Sequence, residues 1–175
     1  MRSTLHRWPA ALGLLAAGFQ IVTGANRESV AITVVVATLC YLAAAAFNRP
    51  WIAWATIAGG SVIVVAGELA GLTWWVAVGL VAAGLAVIGL VTGVPRPALT
   101  AQTGALLGFG ALAVTALYLD PRAGMILAGL ALAAHSGWDV IHYRRNTVVP
   151  RSMAEFCMVL DLPLGAALIV LAFTS

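Results

Sequence analysis

Three residues near the end of the chain have the types and spacing to do chemistry. His135, Asp139 and His142 stand at i, i+4 and i+7 in the stretch HSGWDVIH. On a helix their side chains point to about 0°, about 40° and about −20°, so one stripe carries all three. Two imidazoles and a carboxylate on one stripe can share a divalent cation, zinc or magnesium, or hand a proton along. A bound cation polarises an ester, ether or phosphoryl oxygen, or activates a water. Asp161 on the following apolar segment can complete the shell or act as a base, with Glu155 as a third acid. The candidate metal ligands are therefore His135, Asp139, His142 and Asp161, and the candidate catalytic acids Asp161, Asp139 and Glu155.

Burial makes this grouping matter. Transfer of a carboxylate to the middle of a membrane helix costs about 2.5–3.5 kcal/mol on insertion scales. Acids in these segments must be paired, protonated, water-facing or metal-bound. Pro163, two residues beyond Asp161, lacks an N–H, frees the Val159 carbonyl and gives α-helical backbone there a reason to bend. Ser152 and Glu155 also have the spacing of a capping box, which would commit Glu155 to a helix start. Between the two segments, HYRRNTVVPRS supplies Arg144, Arg145 and Arg151. These either anchor the loop or clamp a phosphate or carboxylate headgroup bidentately.

The elements that position these groups are membrane-spanning helices. The 175 residues are 62% hydrophobic and only 9% charged, against roughly 25% charged in soluble domains. Mean hydropathy is +1.03. There is no lysine, so lysine Schiff-base chemistry, a retinal linkage included, is excluded. A net charge of +3 carried by arginine reads as headgroup anchoring and topology, not nucleic-acid binding. Cys40 and Cys157 lie in apolar runs and read as packing residues.

Seven apolar runs follow one another: 8–22, 29–47, 51–69, 72–91, 99–119, 123–143 and 153–173. A span needs about 20 residues, and runs apolar on all sides exclude a barrel. The expected fold is all-α: a single domain over residues 1–175, with seven transmembrane helices. An N-terminus inside puts Arg2, Arg7, Arg49, Arg96, Arg144, Arg145 and Arg151 on the cytoplasmic side, leaving Arg27 and Arg122 outside. That asymmetry predicts N-in and C-out in a bacterial-type inner membrane. The first run also has the form of a signal peptide cleavable after Ala25; the alternation of charge favours keeping it as a span. Asp120 before Pro121 reads as a helix cap and Glu68 as interfacial. Gln102, Tyr41 and Cys40 are secondary candidates for the polar site. Trp8, Trp51, Trp54, Trp74 and Trp75 fit interfacial belts.

In helix count and ligand type the layout resembles the seven-helix zinc hydrolases of the ceramidase and adiponectin-receptor type. The histidine pair those enzymes carry on their last helix has no counterpart here, so no residue role is carried over. The expected function is a membrane-embedded enzyme acting on a lipid or isoprenoid from the cytoplasmic side, by metal-dependent hydrolysis or transfer. The alternatives are a metal-free acid–base isomerase or cyclase, a small proton-coupled transporter, and a polar network that only holds helices together. The sequence leaves open whether the chain works as a homo-oligomer.

Overall fold

The computed structural model describes residues 7–174, and it is all-helical. Seven helices run in order: α1 Trp8–Val22, α2 Arg27–Ala46, α3 Ile52–Leu69, α4 Trp74–Thr92, α5 Arg96–Tyr118, α6 Pro121–Arg145 and α7 Arg151–Thr174. Helices α2 to α7 are long and apolar enough to cross a membrane. Helix α1, with 15 residues, falls short of the about 20 that a span needs. Large side chains such as Leu15, Phe19, Val62, Leu80, Leu107 and Val170 point outward. An apolar exterior of this extent belongs in lipid, and the chain reads as an integral membrane protein.

The caps explain where the helices begin. Asn26 Oδ1 accepts from the N–H groups of Glu28 and Ser29, and Ser29 Oγ accepts from the Asn26 N–H. This reciprocal box starts α2 two residues before the apolar run does. Asp120 caps α6 through the Ala123 N–H at 3.1 Å, with Pro121 in the first turn. The expected Ser152 cap is not formed. Helix α7 starts at Arg151, two residues before the start that a Ser152 cap would set, and bonds back to the Pro150 carbonyl, while the Ser152 hydroxyl accepts from Trp54 Nε1 at 3.2 Å. Pro163 lies inside α7, which continues as one helix on both sides of it.

Helix α2 is the axis of the bundle. Every residue from Ala37 to Ala46 is buried, because α3, α4, α5, α6 and α7 all pack against it. Its small residues let neighbours approach on all sides. Helices α6 and α7 form the most extensive pair. Gly129 and Gly165 face each other there; a Cβ on either would sit 2.7 Å or 2.6 Å from the other's carbonyl oxygen. Gly13 lets α1 lean on α7 in the same way, against the Phe156 carbonyl.

Short connections make the helices alternate in direction. One end of the bundle carries Arg7, Arg49, Arg96, Arg144, Arg145 and Arg151, and the other Arg27 and Arg122. Contacts fix the ends. Trp8 stacks near Trp54 at the arginine-rich end, and Arg27 donates to the Leu119 carbonyl at the opposite end. Arg2 and His6 lie outside the described residues. Of the five tryptophans expected at interfaces, Trp8 and Trp51 are exposed, whereas Trp74 is buried in the core.

Candidate functional site: a buried imidazole between two carboxyl groups

Helices α6 and α7 are joined by a five-residue reversal in which Asn146 and Val148 both take positive φ, 49° and 68°. The reversal sets the two helices antiparallel and level. His135 lies ten residues before Arg145, and Asp161 ten residues after Arg151. Each is therefore about 15 Å from the arginine-rich end at 1.5 Å per residue. That depth is near the middle of a hydrocarbon layer about 30 Å thick, deeper than a site confined to one half.

His135, Asp139 and Asp161 are each 0% exposed. His135 Nδ1 lies 2.7 Å from Asp161 Oδ2 and 3.4 Å from Asp139 Oδ2. Tyr41 on α2 donates its hydroxyl to Asp139 Oδ1 at 2.6 Å. The imidazole is held edge-on between the rings of Tyr41 and Phe109, at centroid distances of 5.7 Å and 5.1 Å. Three polar atoms of the cluster make no hydrogen bond: His135 Nε2, Asp161 Oδ1 and Asp139 Oδ2, whose nearest charged neighbour is His135 Nδ1 at 3.4 Å. The described arginines are exposed, apart from the half-buried Arg27 at the opposite end. No guanidinium balances the two carboxyl groups, so protons on the imidazole or on a carboxyl group, or a bound cation, must do so. One donor atom from each of His135, Asp139 and Asp161 fits within 4.8 Å of the others, a span suited to one metal ion.

His142 shares the stripe but not the cluster. Trp138 Nε1 donates to Gln102 Oε1 at 3.1 Å, so the Gln102 amide nitrogen faces His142 Nε2, 3.0 Å away. That nitrogen can only accept, which puts the proton on His142 Nδ1, within 2.9 Å of the Trp138 carbonyl. A closed ring of three hydrogen bonds thus occupies both nitrogens of the expected fourth ligand. Glu155 is half-buried on α7, six residues nearer the arginine-rich end than Asp161, and lies outside the group of convergent donors.

Two cavities flank the polar core. One, of about 240 Å3, is lined by α1, α2, α3 and α7 and includes Asp161, Cys40 and Cys157 among mainly apolar side chains. The other, of about 330 Å3, lies at the arginine-rich end beside Gln102, His142, Trp138 and Arg145. Arg144 is exposed, and Arg151 donates to the Tyr143 carbonyl. None of the three loop arginines lines the Asp161 cavity.

Tyr41 and Gln102 turn out to matter more than their sequence positions suggest. The signal for each is a lone hydrogen-bonding side chain in an apolar run, which marks burial but not the partner. No family model, curated protein or solved structure matches the chain.

Proposed function

We propose that the protein is a membrane-embedded enzyme acting on a lipid or isoprenoid, with a divalent cation held by His135, Asp139 and Asp161. One observation carries this reading: Asp161 belongs both to the buried cluster and to the wall of a largely apolar cavity. A carboxyl group that only tied helices together would have no reason to border space for a ligand. Two carboxylates balance a divalent ion, and the imidazole supplies a neutral third donor. Tyr41, bonded to Asp139, fixes that ligand's orientation. The cation would supply Lewis-acid activation of a substrate oxygen or a water. The arginine asymmetry supports an N-terminus on the cytoplasmic side of a bacterial-type inner membrane.

The 2.7 Å His135–Asp161 contact favours a second reading, in which the pair transfers protons without metal. Elemental analysis separates the two. The cation reading expects about one equivalent of metal per chain in the purified protein, lost in His135→Ala and Asp161→Asn and kept in His142→Ala. Metal-free wild-type protein would overturn it. Comparison of lipids from membranes expressing wild type or Asp161→Ala tests the enzyme itself. An identical lipid profile in the two would remove the basis for catalysis.

A further inference from the structure

We infer that the ligand of the Asp161 cavity is a single-chained lipid with an uncharged polar end, admitted sideways from the bilayer between α1 and α3. The inference rests on the reading of that cavity as a substrate site and narrows its chemistry.

The route follows from how the cavity is closed. At the arginine-rich end the rings of Trp8, Trp54 and Phe156 stack in succession, each pair 5.3 Å apart. The Trp54 indole is pinned there by Ser152. Toward the opposite end Thr33 donates to Gln20 at 3.2 Å and ties α1 to α2. Helix α1 leans on α7, and α3 leans on α2 and α4. Ala16 on α1 and Ile57 and Ser61 on α3 then form the two lips, with Ser61 exposed. Closed at both ends, the cavity opens to the side, where lipid chains are.

The ligand's chemistry follows from what lines the space. The wall is apolar except for Gln20, Thr33, Ser61, two thiols and Asp161. It holds no cation to meet a phosphate or carboxylate head. If the cluster carries a divalent ion, its two carboxylates already neutralise it. An anionic head would therefore gain no net attraction and would lose its water. Asp161 is the one acid in the wall, and its Oδ1 is buried without a hydrogen-bond partner; a hydroxyl or comparable neutral donor that reaches the carboxyl would satisfy it. At about 240 Å3 the space also falls below the roughly 300–1,000 Å3 of sites for drug-sized ligands, which favours one slender chain over a bulkier two-chained ligand. Of the loop arginines, Arg145 borders a different cavity and neither Arg144 nor Arg151 lines this one, which sets aside the headgroup clamp for this ligand.

The test is photo-crosslinking of the full chain in vesicles with a long-chain alcohol bearing a diazirine. Adducts should concentrate on residues 32–40 and 153–161. Unlabelled alcohol should suppress them severalfold, and the alkyl phosphate of equal chain length and a diacyl phospholipid should not. Ser61→Trp, a change at an exposed lip, and Ala16→Trp, at the facing one, should each abolish the concentrated labelling. Competition by the alkyl phosphate equal to that of the alcohol would overturn the uncharged head, and competition by the phospholipid the single chain. Labelling unchanged in both lip variants, or spread evenly over α4 and α5, would overturn lateral admission. Metal content is measured separately: protection in metal-free protein leaves this inference standing and removes only the cation.

Discussion

Tyr41 donates the shortest hydrogen bond of the site, 2.6 Å to Asp139, from a helix that otherwise offers only apolar packing around it. A carboxylate held this way presents one oxygen to the hydroxyl and leaves the other, Asp139 Oδ2, for His135 or a cation. Tyr41→Phe keeps the ring contacts with His135 and His142 and removes only the hydroxyl. It should weaken metal binding by about 10- to 100-fold, as loss of an outer partner does elsewhere, with unfolding in detergent shifted by about 1 kcal/mol. Titration of the metal-stripped protein checks this; unchanged affinity would mean that Asp139 is not a ligand. His142→Ala behaves oppositely. It opens the Trp138–Gln102–His142 ring and should lower thermal stability by about 1–3 kcal/mol, as buried groups lose their partners, without reducing metal content. The common phase of His135, Asp139 and His142 is legible in the sequence. Their separation in space is not, because phase fixes direction around a helix and not the neighbour met along it. His142 lies seven residues beyond His135, about 10 Å along the axis, where Gln102 of α5 faces it instead of Asp161 of α7.

At the scale of elements, the α6–α7 hairpin was the most readable part of the fold. His135 lies thirteen residues before Val148 and Asp161 thirteen after it, so a tight reversal centred there brings them level. Helix limits differ from the apolar runs by two or three residues at several ends, among them the starts of α2 and α5, where Asn26 and Pro97 act outside the run. The closeness of α6 and α7 could not be read, since eighteen glycines are scattered along the chain and most have open space at the Cβ position. Only the coordinates single out Gly129 and Gly165. Alanine at either would push a methyl group to within 2.7 Å or 2.6 Å of the opposite backbone carbonyl. The helices must then part, at a cost of about 1–3 kcal/mol, and the separation must widen the His135–Asp161 contact. Gly129→Ala and Gly165→Ala should therefore lower both the unfolding temperature and metal occupancy, whereas Gly104→Ala, in open space on α5, should change neither. Equal effects at all three positions would mean that helix propensity, not close approach, governs the response.

The described residues give the molecule one arginine-rich end and one with two arginines, and the orientation of the candidate site follows from which end faces the cytoplasm. Six described arginines crowd the first end, and Arg27 and Arg122 mark the second. Both of the latter are partly engaged: Arg27 with the Leu119 carbonyl and Arg122 over the Phe173 ring at 4.4 Å. The six are spread over the start of α1 and three interhelix connections, so no single substitution should invert the protein. The positive-inside rule predicts the first end in the cytoplasm and the C-terminus, after α7, outside. A reporter fused after Ser175 should be active only as a periplasmic enzyme, and single cysteines near Arg49 and Arg145, in a background lacking Cys40 and Cys157, should be shielded from impermeant thiol reagents in intact cells. Because α1 is short, it is the helix whose crossing needs separate proof. Trp8 packs on Trp54 at the arginine-rich end, so a cysteine near Arg7 should be shielded like the others; its modification from outside would mean that α1 does not cross and would remove the α1 wall of the Asp161 cavity. The Asp161 carboxyl, bonded to His135 of α6, lies about 15 Å from the arginine-rich end whichever way α1 is placed.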